Sequence, residues 1–378
     1  MSEADLAVAL AGLPPMDVAS RLVRVQADLG NEGVACDTLL VTHLTNIRYL
    51  SGFTGSAALL LVLSEDAVLV TDGRYEEQAA DELRGAGVAA RVEVGRTLAE
   101  QREIVIGIVG TPPRLGLEAD HVSWADQQRY ERDWFPGTEL VPTSGLVEAH
   151  RLVKDDGEVA RIEVACAIAD AALASVAPTL EDGPTEAAFA LRLDTEMRRL
   201  GADDVSFETI VASGPNGSRP HHVPTDRVIR KGDLVVIDFG ALVDGYHSDM
   251  TRTVAVGGVA ALDDTQRRMV EVVGASQAAG VAMVAPGVAA SEVDRACREV
   301  IAEAGWADAF VHGTGHGVGL DIHEDPRVSG TGDATLDAGH VVTVEPGVYL
   351  PGHGGVRVED TVVVTPTGRR TLTRAPKS

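Results

Sequence analysis

VVIDFGALVDGYHSDMTRT, residues 235–253, contains an apolar run that ends on an ionisable side chain. Val235, Val236 and Ile237 have the β-branched character of a buried strand, yet Asp238 follows at once and Asp249 comes eleven residues later. Asp244-Gly245 is the strongest turn signal between the two runs, because both residue types tolerate the positive φ of a tight hairpin turn. A turn at that point sets Val243 opposite Tyr246 and, counting outward, Gly240 opposite Asp249. Asp238 then shares a face with Asp249 and lies diagonal to it. Two anions on one apolar face are costly unless something positive lies between them.

The same combination recurs further along. Glu345 closes the apolar run in HVVTVEPG at 340–347, and Glu359 is expected mid-strand in GVRVEDTVVVT at 355–365. Between the acids, FVHGTGHGVGLDIHEDP at 310–326 sets His312, His316 and His323 among glycines spaced too closely for a helix, so the backbone is expected to pass close to a site. An oxygen-rich donor set with histidine suits Mn2+, Co2+, Fe2+ or Zn2+ better than a thiolate-bound structural zinc. Singly, each acid is more often a cap, a turn residue or an ion-pair partner; their conjunction points to a cluster of two metals. Arg357 stands two residues from Glu359, on the same face of an extended chain, although a solvated edge-strand arginine is the plainer reading.

Around this site the chain divides in two. The first part reads as a helix over 15–32 followed by strand-like CDTLLVT, ALLLVLS, DAVLVTDG and VIGIVG at 105–110, the alternation of an α/β layer domain. Asp155 and Glu158 have the spacing of a capping box ahead of Ile162, Ala165, Ala169, Ala172 and Val176, so a long helix begins there and the domain boundary is placed near 150, giving domains 1–150 and 151–378. A helix opened by Pro184 and Thr185, and two more near 263–284 and 290–304, surround the strands of the second domain, an α+β arrangement of helices on antiparallel sheet. A weak internal echo, strand then acid, appears around 238/249 and again around 345/359.

Composition removes several function classes. With 57 Asp and Glu against 32 Lys and Arg, the formal charge of −25 repels nucleic acid and anionic membranes. Cys36, Cys166 and Cys297 form no C-x-x-C pair and read as small buried residues of a reducing compartment. The start lacks the basic segment of a signal peptide, and SAALLLVL at 56–63 is too short to span a bilayer, so a soluble cytoplasmic protein is expected. IDFG matches a kinase magnesium motif without the H-R-D loop or phosphate loop that would give it meaning, and HEDPR lacks the second histidine of H-E-x-x-H.

IDFGALVDGYHSDMTRT, HGTGHGVGLDIHEDP, VEPGVY and GVRVEDT together resemble the catalytic signature of the pita-bread metallopeptidases, in particular the proline-specific branch of Xaa-Pro aminopeptidases and Xaa-Pro dipeptidases (prolidases). NIRYLSGFTGS and DGRYEEQA resemble that branch's creatinase-like N-terminal domain, so the likeness runs over nearly the whole chain. It implies a pita-bread α+β catalytic domain behind an α/β N-terminal domain, and a metal-ligand set of Asp238, Asp249, His316, Glu345 and Glu359, with Asp249 and Glu359 bridging. It further implies supporting roles for His312, His323, Arg357 and a histidine of RPHHVPTD, taken as His221 rather than His222 from the order of the motif. Two divalent ions, Mn2+ first and Co2+, Zn2+ or Fe2+ also admissible, would acidify a bridging water to a hydroxide nucleophile; Glu345 would accept its proton and His323 would face the oxyanion. The implied reaction is release of the residue ahead of proline from short peptides by an aminopeptidase P-like enzyme, the alternatives being a strict Xaa-Pro dipeptidase or a non-catalytic peptide-binding relative. A homodimer is the implied assembly.

Overall fold

The computed structural model describes residues 1–31, 34–110 and 114–377. The chain forms two compact units, Met16–Arg151 and a second made of Met1–Pro15 with Leu152–Ser378.

In the Met16–Arg151 unit, six strands form one sheet in the order Arg91–Val94, Ala67–Thr71, Ala58–Leu63, Thr38–Val41, Arg114–Glu118, Glu139–Thr143. Leu40, Leu61, Val68, Val70 and Leu115 fill its core with Val105 and Val109 from a covering helix. That helix, Leu98–Val109, overturns the strand expected at VIGIVG. A short apolar run has no period by which to tell a buried strand from a buried helical face, and the Thr97 side chain, accepting from the Glu100 amide, starts a helix before the run begins. The opening helix is shorter than the expected 15–32, running Val18–Asp28; residue 32 lies outside the described residues.

The other unit begins with a helix, Glu3–Ala11, whose Leu6 joins a core formed mostly by residues beyond 160. The capping box forms as its spacing requires: the Asp155 carboxylate accepts from the Glu158 amide and the Glu158 carboxylate from the Asp155 amide, each at 2.9 Å, opening the helix Asp156–Val176. Thr185 caps Glu186–Arg199, and Asp264–Met283 and Ala290–Glu303 complete four main helices. Each helix pair covers its own antiparallel sheet. Ile168, Ala172, Phe189 and Leu193 pack on Val235, Ile237 and Phe239 of the Met250–Ala255, Leu234–Phe239, Ile210–Ser213 sheet. Met269, Val273, Val293 and Ile301 pack on Val342, Val344, Val362 and Val364 of a five-stranded sheet containing Val341–Val344 and Asp360–Thr365.

The hairpin that opened the reading has the register deduced for it. Asp244 and Gly245 turn with φ of 47° and 76°, Val243 opposes Tyr246, and Phe239 and Asp238 oppose Met250 and Thr251. The count carries Gly240 to a place opposite Asp249, where a Cβ would lie 1.9 Å from the Ser248 carbonyl oxygen, so only glycine lets the two strands meet.

The second acid-bearing region differs from expectation. GVRVEDTVVVT is two strands, Gly354–Arg357 and Asp360–Thr365, which pair with different partners in different sheets; Glu359 lies in the break between them instead of mid-strand. The break follows from competition for backbone groups: the Arg357 amide donates to Thr253 Oγ1 and the Glu359 amide to the Thr251 carbonyl, each at 3.1 Å, so the chain here bonds to the first hairpin. Val344 opposes Asp360, which brings Glu345 level with Glu359. Among the described residues no helix is long and apolar enough to cross a membrane.

Candidate metal centre

The strand ends of both sheets deliver their acids to one place. Asp249, His316 and Glu359 each offer a ligand atom within 4.8 Å of the others. His316 Nε2 lies 3.5 Å from Asp249 Oδ2 and 3.5 Å from Glu345 Oε1. Asp238, on the face it shares with Asp249, is held through one oxygen by Arg357 Nη2 at 2.6 Å. The five candidate ligands from the sequence are therefore gathered around one point, with Asp249 and Glu359 almost fully buried.

Burial and mutual repulsion leave this cluster short of positive charge. Burial, reinforced by Glu359, Asp238 and Glu345, pushes the Asp249 carboxyl well above its ordinary range; burial does the same to Glu359, with Glu345 and Asp238 adding to it. Glu345 is pushed up to about 8, chiefly by burial. His316 is driven the other way, to about 4 by burial, so its ring is neutral near pH 7. Its Nδ1 donates to the Gly317 carbonyl at 3.0 Å, which leaves the Nε2 lone pair facing Asp249 and Glu345. A lone pair aimed at carboxylates repels them unless a cation stands between. Asp238 Oδ1 and Glu359 Oε1 point the same way: both are buried and neither has a hydrogen-bond partner among the described residues. Neutral imidazole plus carboxylate oxygens is a donor set that fits divalent cations.

The surroundings orient the donors. Thr251, opposite Asp238, donates from Oγ1 to Glu359 Oε2 at 2.8 Å, and Thr361 Oγ1 donates to the Asp249 carbonyl at 2.7 Å. Behind them a fully buried Arg252 donates to the carbonyls of Thr251 and Glu359 and pairs with Asp360 at 2.9 Å. Arg357 is buried, which rules out the solvated reading, and besides Asp238 it reaches the Tyr349 hydroxyl at 2.9 Å and Thr251 Oγ1 at 2.9 Å. The tyrosine, accepting from Arg357, donates its proton to His312 Nε2 at 2.8 Å, while His312 Nδ1 donates to the Gly313 carbonyl at 2.7 Å. Both hydrogen bonds fix one tautomer, and burial, with Arg357 nearby, lowers His312 to about 4.

His323 packs edge-on against His316, ring centroids 4.4 Å apart, and burial lowers its pKa. His221 is exposed and near enough for its charge to act on His312 and His323. His222 is turned inward instead, its Nε2 2.9 Å from the buried Glu186 carboxylate, which also accepts from Ser213, Asn216 and Thr225. Tyr349, Thr251 and the Arg252–Asp360 pair were not singled out from the sequence. Each stands in a motif near a candidate ligand, Tyr349 in VEPGVY, Thr251 and Arg252 in HSDMTRT and Asp360 in GVRVEDT, but only folding brings Arg252 and Asp360 together.

Comparison with known proteins identifies the family. The profile of metallopeptidase family M24 matches residues 160–366, and that of the creatinase/prolidase N-terminal domain matches residues 21–153. A Bacillus subtilis protein named as the uncharacterized peptidase YqhT is 41% identical over 94% of this chain and 98% of its own. The structure is similar to an Xaa-Pro dipeptidase from Bacillus anthracis, with a TM-score of 0.89 at 36% identity over 96% of this chain and 99% of that one. It is also similar to an X-Pro aminopeptidase from Thermotoga maritima, with a TM-score of 0.84 at 32% identity over 95% and 98%. The chain belongs to metallopeptidase family M24, and its architecture is the pita-bread domain of that family joined to a creatinase-type N-terminal domain.

Proposed function

We propose that this M24 peptidase hydrolyses the bond between an N-terminal residue and proline, and that dipeptides are its main substrates. The observation that carries a metal-dependent hydrolysis is the convergence of His316 Nε2 with the carboxylates of Asp249, Glu345 and Glu359 in a buried cluster. The Xaa-Pro specificity rests on likeness to the Bacillus anthracis dipeptidase, and the Thermotoga maritima likeness keeps the aminopeptidase range as a second reading.

Asp238, Asp249, His316, Glu345 and Glu359 would hold two divalent cations, of which Mn2+ is the first to test. When bound, such ions supply Lewis acidity toward a carbonyl oxygen and acidify a hydrolytic water to near neutrality. Glu345 would accept the proton released from that water, as a carboxylate whose charge the bound cations stabilise. Burial favours the neutral ring of His323, which would donate an N–H toward the charge developing on the carbonyl oxygen. The departing proline nitrogen needs a proton, and His221, exposed and near His312 and His323, would take part in supplying it. Arg357 holds Asp238, and through Tyr349 it holds His312.

Turnover of an Xaa-Pro dipeptide against an Xaa-Pro-Xaa tripeptide on Mn2+-loaded protein tests the proposal. Efficient cleavage of the dipeptide with negligible cleavage of the tripeptide is expected. Comparable cleavage of both replaces the dipeptide range with the aminopeptidase one, and cleavage of neither overturns the Xaa-Pro assignment.

A further inference from the structure

The Met16–Arg151 unit holds a second convergence of metal-ligating side chains, far along the chain from the first. His43, His121 and Glu148 each offer a ligand atom, and the three atoms lie within 4.8 Å of one another. His43 follows the Thr38–Val41 strand, His121 follows Arg114–Glu118, and Glu148 lies on the short helix Leu146–Arg151. We propose that they form a binding site for one divalent transition ion with the preferences of Zn2+, independent of the catalytic centre.

Three features argue for a built site over a chance surface pair. First, the imidazoles of His43 and His121 stack face to face, centroids 3.7 Å apart and planes within 5°. The stack brings a nitrogen of each ring into the cluster, and rotation of the rings out of it would aim both lone pairs at one ion. Second, the ligand separations suit an ion. His121 Nε2 is 2.7 Å from Glu148 Oε1, and 4.8 Å bounds the set. A tetrahedral ion with bonds of about 2.0–2.1 Å keeps its ligand atoms about 3.3 Å apart, inside that span. The ion would take the place of the proton now shared between His121 and Glu148. Third, the ligands are supported from behind. Asn46 donates to Glu148 Oε1 at 2.6 Å and to Glu118 Oε1 at 2.8 Å, and Arg151 donates to Asn46 Oδ1 at 2.9 Å. The buried Glu118 in turn accepts from the His43 amide at 2.9 Å and the Thr42 amide at 2.6 Å, fixing the backbone that carries His43. Outer partners of this kind fix ring and carboxylate orientation in metal sites.

The donor chemistry selects the ion. Two imidazoles and a carboxylate, with His121 and Glu148 partly open to solvent, match the three-ligand zinc set with water in the fourth position, and disfavour Mg2+ and Ca2+, which require mostly oxygen. Because the three ligands come from distant stretches, the ion would tie the ends of two strands to a helix and stabilise the folded unit.

Zinc stoichiometry of the full chain, stripped with chelator and reloaded, tests the site. Wild type is expected to retain one ion more than His121→Ala, while His121→Ala keeps wild-type peptidase turnover. In a Glu359→Gln background, which disables the first centre, bound zinc is expected to remain and to disappear when His121→Ala is added, so this result stands apart from any failure of the peptidase assignment. Co2+ loaded into Glu359→Gln should show the visible bands of a tetrahedral nitrogen-ligated ion. Should His121→Ala not fold by circular dichroism, Glu148→Gln, which can still accept from Asn46, is measured in its place and is expected to bind zinc at least tenfold more weakly. Equal stoichiometry and affinity in wild type and the folded variant overturn the site.

Discussion

The Leu234–Phe239 and Met250–Ala255 strands are joined through residues 240–249, a short hairpin of Ala241–Val243 and Tyr246–His247 turned at Asp244-Gly245, whereas Val341–Val344 and Asp360–Thr365 are joined through the longer stretch 345–359, with a hairpin of its own. Both strand pairs present two acids to the same point. The first pair fixes Asp238 and Asp249 by register and adds Thr251, which donates to Glu359. The longer excursion carries Glu345 and Glu359 at its two ends and returns Tyr349 and Arg357 to Asp238 and His312. Equivalent acids are thus delivered by a short connection and a long one, and each half orients an acid of the other: Thr251 holds Glu359, and Arg357 from the longer connection holds Asp238.

If the two pairs are equivalent as ligand donors, Asp249→Ala and Glu359→Ala should be equally damaging. Each is expected to lose bound metal and to reduce peptidase turnover to background, read by elemental analysis and a dipeptide assay on the same sample. Either variant retaining full metal and turnover breaks the equivalence. The asymmetry is probed next by Tyr349→Phe, which deletes the hydroxyl shared by Arg357 and His312 without removing a ligand. A loss of about 10–100-fold in kcat/KM with metal content unchanged is expected, the usual scale for outer partners of a metal site. Wild-type kinetics in this variant would detach the excursion from the chemistry.

The smallest effect concerns the metal-free protein. Burial raises Glu345 in the folded state from an ordinary 4.5 to about 8, so between those values the folded chain binds more protons than the unfolded one. Stability contributed by this group is full below about 4.5 and fades as pH rises through about 8. The Tm of chelator-treated protein is therefore expected to fall as pH rises from about 5 to about 8, and Glu345→Gln should flatten that slope. A slope identical to wild type in Glu345→Gln would remove Glu345 as its source.

Much of the fold could be read before the structure because local chemistry agreed with tertiary demand. Asp155 and Glu158 cap the helix their spacing announced, and Asp244-Gly245 turns as its residue types require. The misreadings come from the opposite situation. VIGIVG looks like a strand because six apolar residues carry no usable period, and the helix is decided by a cap at Thr97, further back along the chain. GVRVEDTVVVT has an unbroken strand pattern, and what interrupts it is the competing backbone of Thr251 and Thr253, about a hundred residues away. The sequence also gave no sign of His43, His121 and Glu148 as a group, since nothing in their spacing relates them.

From sequence alone came the family-type signature, the register that makes Asp238 and Asp249 neighbours, and the list of acids and histidines that lie in costly places for charged or polar groups. These are local properties: alternation, turn chemistry and the expense of burying a carboxylate can all be judged within a few residues. Only the tertiary structure decided that the second hairpin's polar groups serve the first hairpin's acid, that His222 turns inward to Glu186 while His221 stays exposed, and that three distant residues of the other unit meet around a point. Those outcomes depend on which surfaces pack together, and that is settled by the whole core rather than by any one stretch of chain.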